Sequence, residues 1–385
     1  MSVRSMSRSI LACSLALSAC TDDGVRSPGD ELGSESGESL GSESDAGSDS
    51  GGSSSDSSTT GITSDLPADD TGDTGVAGCE PASSWDPWIG GPCMEDLDCG
   101  YDGGICLRED EGWPCGTCSL PCDLYCPDVA DAPETFCVDH QSGAEPFAPD
   151  QGACLSKCDP NKFPGGGCRP GYSCVLVDRF SDPDSKAAVC LPQEIAPPLS
   201  ECQQALTDAG LSWIPAYVPL DHPDGLPNLD CVVAEPVRLY SPINGIDYRY
   251  IESENPAPIL VSCGLAQALD QFGYLLQSKG AVEVAHIGTY NCRVISGTET
   301  LSEHAFGRAI DLGGFTLEGG EYFTVLDDWE DGVADPVTFA GQWLKDLTDK
   351  RFEQMIFNII LTPEYNAAHD NHFHVDLTPD AHFYE

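Results

Sequence analysis

The sequence predicts an α+β domain over residues 199–385, preceded by a disulfide-rich, loop-dominated region and a disordered linker. Three observations predict this order. Fourteen of the 20 cysteines fall between Cys79 and Cys190, residues 21–78 are dominated by Ser, Gly, Asp and Glu, and helical and strand periodicity is confined to the last part of the chain. We therefore divide the chain into residues 1–20, 21–78, 79–198 and 199–385.

The charge of the chain excludes some classes of partner. Its formal net charge is −47, with 17 Lys and Arg against 64 Asp and Glu. Because phosphate backbones and anionic lipids attract basic patches, the sequence predicts no nucleic-acid partner and no electrostatic docking on a membrane. No apolar run reaches the roughly 18 residues that a membrane-spanning helix requires.

Residues 1–20 have the pattern of a targeting segment. Arg4 and Arg8 precede a short apolar run, and the segment ends at Leu17-Ser18-Ala19-Cys20. This ending resembles the bacterial lipobox, in which the cysteine is lipidated and becomes the new N-terminus. The alternative is an ordinary signal peptide cut near Ala19, with Cys20 incidental. We expect an exported protein that is lipid-anchored to a bacterial membrane through Cys20 and faces the periplasm or the cell surface.

Residues 21–78 predict a flexible acidic tether. They contain no aromatic residue and a single basic one, Arg26. Such a segment cannot bury enough apolar area to offset its ordering entropy. As a random coil it reaches about 40–45 Å. An acidic calcium-binding tract is the disfavoured alternative, since the acids lack a loop-like ligand pattern.

Residues 79–198 predict a region held by disulfides. Fourteen cysteines in a secreted context imply up to seven disulfides, whose connectivity the sequence does not determine. Cys115 and Cys118 have the spacing of a redox site, but the βαβ context of such a site is missing, so structural disulfides are favoured. We expect a spacer or a binding module for an unknown partner.

Residues 199–385 show the periodicity of a folded core. The predicted elements are helices over Glu201–Ala209 and Cys263–Ser278, a strand over Val282–Thr289, a helix that Pro336 opens with Phe339, Trp343 and Leu347 inward, and strands over Met355–Leu361 and His372–Leu377. Four cysteines allow three disulfide pairings. We favour the sequence-adjacent choice, Cys202–Cys231 with Cys263–Cys292.

Two segments of this domain predict a metal site. His304 and Asp311 stand seven residues apart, and His369, His372 and His374 follow about sixty residues later; these segments hold four of the eight histidines. Side chains two apart in a strand share a face, so His372 and His374 project together while Phe373 and Val375 face the core. A hydrolytic zinc site requires three protein ligands and an open position. The alternative is a set of structural histidines, which the clustering disfavours.

The motif Ser302-x-His304-x-x-Gly307-x-Ala309-x-Asp311 with a late His-x-His is similar to the LAS metallopeptidases, the group of lysostaphin, D-Ala-D-Ala carboxypeptidases and hedgehog. Within that group, residues 199–385 resemble the bacterial extensin-like C-terminal domain, through Tyr290–Arg293, Leu301–Ala305 and Asn366–His374. The resemblance implies a hedgehog/D-Ala-D-Ala-peptidase-like fold, with a small antiparallel sheet and flanking helices. It also implies Zn²⁺ ligands His304, Asp311 and His374.

The resemblance departs from the family pattern at the catalytic base. D-Ala-D-Ala carboxypeptidases carry Glu three residues before the last ligand, whereas this chain has Asn371, which cannot take a proton. The spacing His369-x-x-His372-x-His374 is instead similar to penicillin-insensitive murein endopeptidases. It implies His372 as the base or oxyanion stabiliser and His369 as its partner.

Three further residues complete the predicted site. Arg293 holds a substrate carboxylate or polarises a carbonyl, or else forms a salt bridge with one of the many acids. Ser302 hydrogen-bonds the loop that positions His304, a role in the second layer around the metal. Asp370 is a further candidate base in this second layer, although a turn residue is the favoured reading.

These residues lead to an expected function. We expect a zinc-dependent peptidase that acts on the amide bonds of peptidoglycan peptides from its membrane anchor. The alternatives are a non-catalytic, metal-stabilised module that binds the cell wall, and a surface adhesion lipoprotein whose C-terminal domain is passive.

Overall fold

The computed structural model describes residues 87–139 and 151–385. The predicted signal segment with Cys20 and the predicted linker lie outside the described residues. Four α-helices and four β-sheets form the described part, and this confirms the predicted mixture of helix and largely antiparallel sheet. Among the described helices, none has both the length and the apolar character needed to cross a membrane.

The cysteine-rich region contains more sheet than its sequence predicted. A five-stranded antiparallel sheet has the order β3-β5-β4-β6-β7, and β1 and β2 form a separate pair. The bounds are β1 Ile105–Leu107, β2 Thr117–Ser119, β3 Pro121–Cys122, β4 Thr135–Val138, β5 Gly152–Ser156, β6 Tyr172–Arg179 and β7 Asp182–Pro192.

Disulfides in this region follow a repeated plan. In three antiparallel pairs of strands, two cysteines stand side by side, and each bonds backwards to a cysteine that precedes the pair. The side-by-side cysteines are Cys106 and Cys118, Cys137 and Cys154, and Cys174 and Cys190. The bonds are Cys93–Cys106, Cys99–Cys118, Cys122–Cys137, Cys126–Cys154, Cys158–Cys174 and Cys168–Cys190.

Cys115 and Cys118 belong to different disulfides, as the preference for structural disulfides predicted. Cys118 bonds to Cys99, and Cys115 is also in a disulfide, so the two do not form a CxxC pair with each other. The sulfur atoms replace apolar side chains in the small cores here. Because disulfides on this scale persist in oxidising compartments, they indicate an extracellular or exported protein.

The C-terminal region contains the larger sheet and all four helices. Its helices are α1 Glu201–Asp208, α2 Cys263–Ser278, α3 Val325–Asp328 and α4 Phe339–Glu353. Its strands are β8 Trp213–Pro215, β9 Pro236–Leu239, β10 Asp247–Tyr250, β11 Ile259–Ser262, β12 Ala281–Gly288, β13 Ala309–Leu317, β14 Tyr322–Thr324, β15 Ile359–Leu361, β16 Phe373–Asp376 and β17 Phe383–Tyr384.

A seven-stranded sheet positions the rest of this region. Its order is β10-β12-β13-β16-β15-β17, with β14 also paired to β13, and the pairs at both ends are parallel. Helix α2 begins at its N-cap Ser262 and packs in the main core. Its predicted apolar face is confirmed, since every member is fully buried: Leu265, Leu269, Phe272 and Leu276.

Two predicted elements have different bounds in the structure. Helix α4 begins at Phe339 instead of Pro336, because the Glu330 carboxylate accepts the backbone N–H groups of Val337 and Thr338 in a preceding turn. Phe339 is 63% exposed, so its predicted inward position is wrong, whereas Trp343 and Leu347 are buried as predicted. The apolar strand predicted from Met355 is shorter, since β15 begins only at Ile359. The strand predicted to be last, β16, is followed by β17.

The favoured pairing of the four C-terminal cysteines is wrong. The structure joins Cys202 to Cys263 and Cys231 to Cys292. Cys202 lies on α1 and Cys263 is the first residue of α2, so the packing of these two helices brings the sulfur atoms together. The remaining two cysteines lie in the loop before β9 and in the segment after β12, which meet beside the sheet.

The two regions share an interface at β8. Ile214 is buried in one cluster with Trp113, Leu155 and Val189 of the cysteine-rich region. The N–H of Trp213 donates to the carbonyl of Gly165. The cysteine-rich region therefore packs directly on the C-terminal region.

Replacing Ile214 tests this interface. We expect Ile214→Ala to lower the free energy of unfolding by about 2–5 kcal/mol, because it opens a cavity between the regions. The control Leu220→Ala removes a side chain that is 62% exposed and should cost less than about 0.5 kcal/mol. Equal effects of the two changes in urea denaturation would contradict a stabilising interface.

Arg351 is a fully buried cation in the main core. Its guanidinium lies 5.2 Å from the ring centroids of both Phe272 and Phe373. None of its three side-chain nitrogens has a hydrogen-bond partner within the described residues. Burial therefore lowers the pKa of Arg351, because the charged form loses its hydration.

Removing this charge should stabilise the fold. We expect Arg351→Met to raise the free energy of unfolding by about 1–4 kcal/mol, since an apolar side chain of similar length avoids the desolvation penalty. Thermal unfolding of the two proteins at pH 7 measures the change. A fall in stability would show that stacking on the two rings outweighs desolvation.

Candidate metal centre

The pairing of β13 with β16 builds one side of the candidate centre. Asp311 and His374 are direct partners in this antiparallel pair, so their side chains leave the same face of the sheet. The alternate residues point to the other face and are fully buried, as predicted for Phe373 and Val375. Asp376 lies two residues beyond His374 on the site face.

A short 3-10 helix places the third side chain. The helix covers Glu303–Phe306, and the Ser302 hydroxyl at its N-cap accepts the N–H of His304. Ser302 therefore occupies the supporting position that the sequence predicted. Gly307 ends the turn with a φ of 61°, a left-handed conformation that favours glycine.

Three predicted ligands converge in the structure. His304 Nε2 lies 3.2 Å from both Asp311 Oδ1 and His374 Nδ1, and His374 Nδ1 lies 2.9 Å from Asp311 Oδ1. All three side chains are buried. Four groups of potential metal ligands occur among the described residues, and three of them consist of cysteines that are in disulfides.

Hydrogen bonds on the far side of each imidazole direct the converging nitrogens. His304 Nδ1 donates to the Thr289 carbonyl, and His374 Nε2 donates to Asp376, 2.9 Å away. A neutral imidazole has only one N–H, so the two facing nitrogens both present lone pairs. Together with the carboxylate of Asp311, they form a cluster of acceptors that requires a positive charge between them.

A zinc ion fits this donor set. Ligands about 2.0–2.1 Å from a tetrahedral zinc lie about 3.3 Å from one another, close to the separations observed here. Two imidazoles and one carboxylate are ligands that zinc accepts. Hydrogen bonds from a metal-binding histidine to a carboxylate or a carbonyl are typical of such sites.

The electrostatics of the cluster agree with this requirement. Burial raises the pKa of Asp311, but the neighbouring histidines, first His304, outweigh burial and hold that pKa well below its usual range. Burial lowers the pKa of His374, but hydrogen bonds to Asp311 and Asp376 outweigh it and raise the pKa to about 9. Without a metal, a proton on His374 supplies the positive charge.

Two more histidines line the centre. His372 Nε2 lies 3.6 Å from Asp311 Oδ1, and the His369 ring lies 5.1 Å from the His372 ring. The Nδ1 atoms of both donate to side-chain amide oxygens, of Asn366 for His369 and of Asn371 for His372. In the neutral form of either ring, Nε2 is therefore the nitrogen without a hydrogen, and it can accept a proton.

Burial and the nearby histidines keep His369 neutral. Burial, His372 and His374 together lower the pKa of His369 to about 3, and the charge of Arg293 contributes to the same shift. Arg293 is half-buried, and its guanidinium makes no hydrogen bond or ion pair within residues 87–139 and 151–385. The described residues therefore do not support the alternative role of Arg293, a salt bridge with an acidic residue.

Asp370 lies apart from the cluster. It is exposed at the end of the 3-10 helix Ala367–His369, and no hydrogen bond within the described part of the chain joins it to His304, Asp311 or His374. Its position agrees with the turn residue that the sequence analysis favoured.

Residues 200–383 match the family model of the extensin-like protein C-terminus. We refer to this part of the chain by that similarity, as the extensin-like domain. No curated protein and no solved structure matches the chain. The family match covers all the residues of the candidate centre and none of the cysteine-rich region.

Sequence reasoning missed the residues that orient the imidazoles. Asp376 carried a usable signal, because a strand that places His374 on the site face places its i+2 neighbour there too. Asn366 and Asn371 are found only through their contacts. The Thr289 carbonyl, a backbone group, has no sequence signal at all.

Asp376 offers a test of this supporting layer. We expect Asp376→Asn to weaken Zn²⁺ affinity by about 10–100-fold, because an amide is a poorer acceptor for His374 Nε2–H. Competition with a chromogenic chelator measures the affinity. The exposed Asp370→Asn is the matched control and should leave the affinity unchanged. Equal affinities of the two variants would contradict the role assigned to Asp376.

Proposed function

We propose that the extensin-like domain is a zinc-dependent peptidase that hydrolyses amide bonds in peptidoglycan peptides. The observation that carries this proposal is the convergence of His304 Nε2, His374 Nδ1 and the Asp311 carboxylate, which lie within 3.2 Å of one another. The proposal includes a hedgehog/D-Ala-D-Ala-peptidase-like fold and a relation to the LAS metallopeptidases. The resemblance in the two histidine segments supports both.

The ligands and their neighbours divide the chemistry between them. His304, Asp311 and His374 would hold Zn²⁺, which supplies Lewis-acid chemistry for amide hydrolysis when bound. In their neutral forms, His372 and His369 present the proton-accepting Nε2 atom of each ring beside these ligands. Either Nε2 atom can accept a proton from the attacking water and return it to the leaving amine.

The absence of the usual glutamate is consistent with this assignment. Asn371 cannot act as a base, but its amide oxygen accepts the Nδ1–H of His372 at 2.7 Å. That hydrogen bond fixes the tautomer in which Nε2 of His372 is the base. We therefore assign proton transfer to His372, with His369 as its partner.

Arg293 supplies the remaining positive charge. Its guanidinium has no acidic partner among the described residues and influences the pKa of His369, so it lies on the histidine side of the centre. A free guanidinium there binds a substrate carboxylate or the oxygen of the carbonyl under attack.

The location of the protein is consistent with a cell-wall substrate. The disulfides indicate export, and the proposal adds a lipid anchor at Cys20 and the acidic tether that follows it. An anchored domain with this reach meets peptidoglycan peptides. The partner of the cysteine-rich region stays unknown.

Two histidine variants of the full-length protein test the proposal. We expect His304→Ala to abolish both the zinc content of the protein and its cleavage of purified murein. Mass spectrometry of the released peptides measures the cleavage. We expect His372→Gln to retain zinc and to lower the cleavage rate by about 10²–10⁴-fold, because only proton transfer is lost. The exposed His382→Gln is the control. Unchanged cleavage by His304→Ala would refute the mechanism.

A second function competes with hydrolysis. The asparagine at position 371, where related carboxypeptidases carry glutamate, favours a metal-stabilised module that binds the cell wall without turnover. Zinc binding and retention on sacculi, without cleavage of any murein peptide, would select this alternative. Absence of zinc from the purified protein would contradict both functions and favour the surface adhesion role.

A further inference from the structure

The segment after β12 holds the His304 turn through its backbone. Residues 289–293 have no regular secondary structure. The Thr289 carbonyl accepts His304 Nδ1, the Asn291 N–H donates to the His304 carbonyl, and the Arg293 carbonyl accepts the Ser302 N–H. The direction of the His304 ring therefore depends on where this irregular segment lies.

A disulfide fixes the middle of that segment. Cys292 bonds to Cys231, a buried residue in the loop before β9. The loop is itself held there, because the Cys231 N–H donates to the Asp221 carbonyl. The disulfide thus joins two irregular segments that share no sheet.

The same loop contacts the other end of the His304 turn. A β-carbon placed on Gly307 would lie 2.9 Å from Cγ1 of Val233, so the valine packs directly against the glycine that ends the turn. The Gly307 N–H in turn donates to the His304 carbonyl. Residues 231–233 therefore support the turn from both sides.

We propose that the Cys231–Cys292 disulfide and Val233 are positioning elements of the metal centre. They hold the Thr289 carbonyl and Gly307 in place, and so direct His304 Nε2 at Asp311 and His374. The disulfide also places the adjacent Arg293. This inference rests on the proposed zinc site and goes beyond it, since it makes metal affinity depend on an oxidised bond outside the ligand set.

The second disulfide of the domain is a matched control. Cys202–Cys263 has the same sequence separation, 61 residues, as Cys231–Cys292. Loss of either bond therefore releases the same loop-closure entropy in the unfolded chain. Ser262, the neighbour of Cys263, also contacts the His304 turn, because its N–H donates to the Gly307 carbonyl. Ser262 ends β11 and is the N-cap of α2, so these two elements hold it in place without the Cys202–Cys263 disulfide.

The experiment compares two double variants of the full-length protein, Cys231→Ser/Cys292→Ser and Cys202→Ser/Cys263→Ser. We expect similar decreases in melting temperature, but at least a tenfold weaker Zn²⁺ affinity only in the first. In the metal-free proteins, hydrogen exchange at the Asn291 amide should accelerate at least tenfold only in the first. Equal changes in both variants would overturn the proposal.

A pair of valine variants covers the case in which the first double variant fails to fold. Val233→Ala loosens the contact with Gly307 and leaves both disulfides intact, and we expect at least a threefold weaker Zn²⁺ affinity. Val237→Ala truncates a fully buried core valine of β9 and should not change the affinity. Equal affinities of the two would overturn the role of Val233. If the wild-type protein binds no Zn²⁺, the proposed function fails, and the exchange rate at Asn291 still decides the positioning role.

Discussion

The cross-strand pair of Asp311 and His374 is the contact on which the candidate centre depends. Antiparallel register places the two side chains on one face, with His374 Nδ1 2.9 Å from Asp311 Oδ1, while their neighbours fill the core on the other face. A slip of one residue in this pairing would place Asp311 and His374 on opposite faces of the sheet. The packing of Ile310, Leu312, Phe373 and Val375 therefore holds the chemistry in register.

The candidate centre has more hydrogen-bond acceptors than donors. Three acceptor groups face one another because every other polar atom of the two imidazoles is already used, by the Thr289 carbonyl and by Asp376. Buried acceptors without a donor are costly, and either a proton on His374 or a bound cation would remove that cost. The side-chain oxygens of Asn366 and Asn371 accept the Nδ1–H groups of His369 and His372 and orient these two rings in the same way.

Crossed disulfides recur through the whole described chain. Leaving Cys115 aside, each successive set of four cysteines joins its first member to its third and its second to its fourth. In the cysteine-rich region the pattern follows from strand pairs that set two cysteines side by side. In the extensin-like domain it follows from helix packing and from the loop beside the candidate centre. Two different folds thus reach the same connectivity.

Local patterns in the sequence determined much of this protein. The apolar face of α2 and the alternation around His374 predicted the helix and the two faces of β16. The clustering of four histidines predicted that His304 and Asp311 meet a late histidine, and the family resemblance implied that this histidine is His374. These features depend on periods of 3.6 and 2.0 residues and on residue chemistry, which a single chain displays. Tertiary structure alone decided the disulfide pairing, the start of α4, the hydrogen bonds that orient each imidazole and the burial of Ile214 against the cysteine-rich region. Each of these depends on which distant segments meet, and no local period records that.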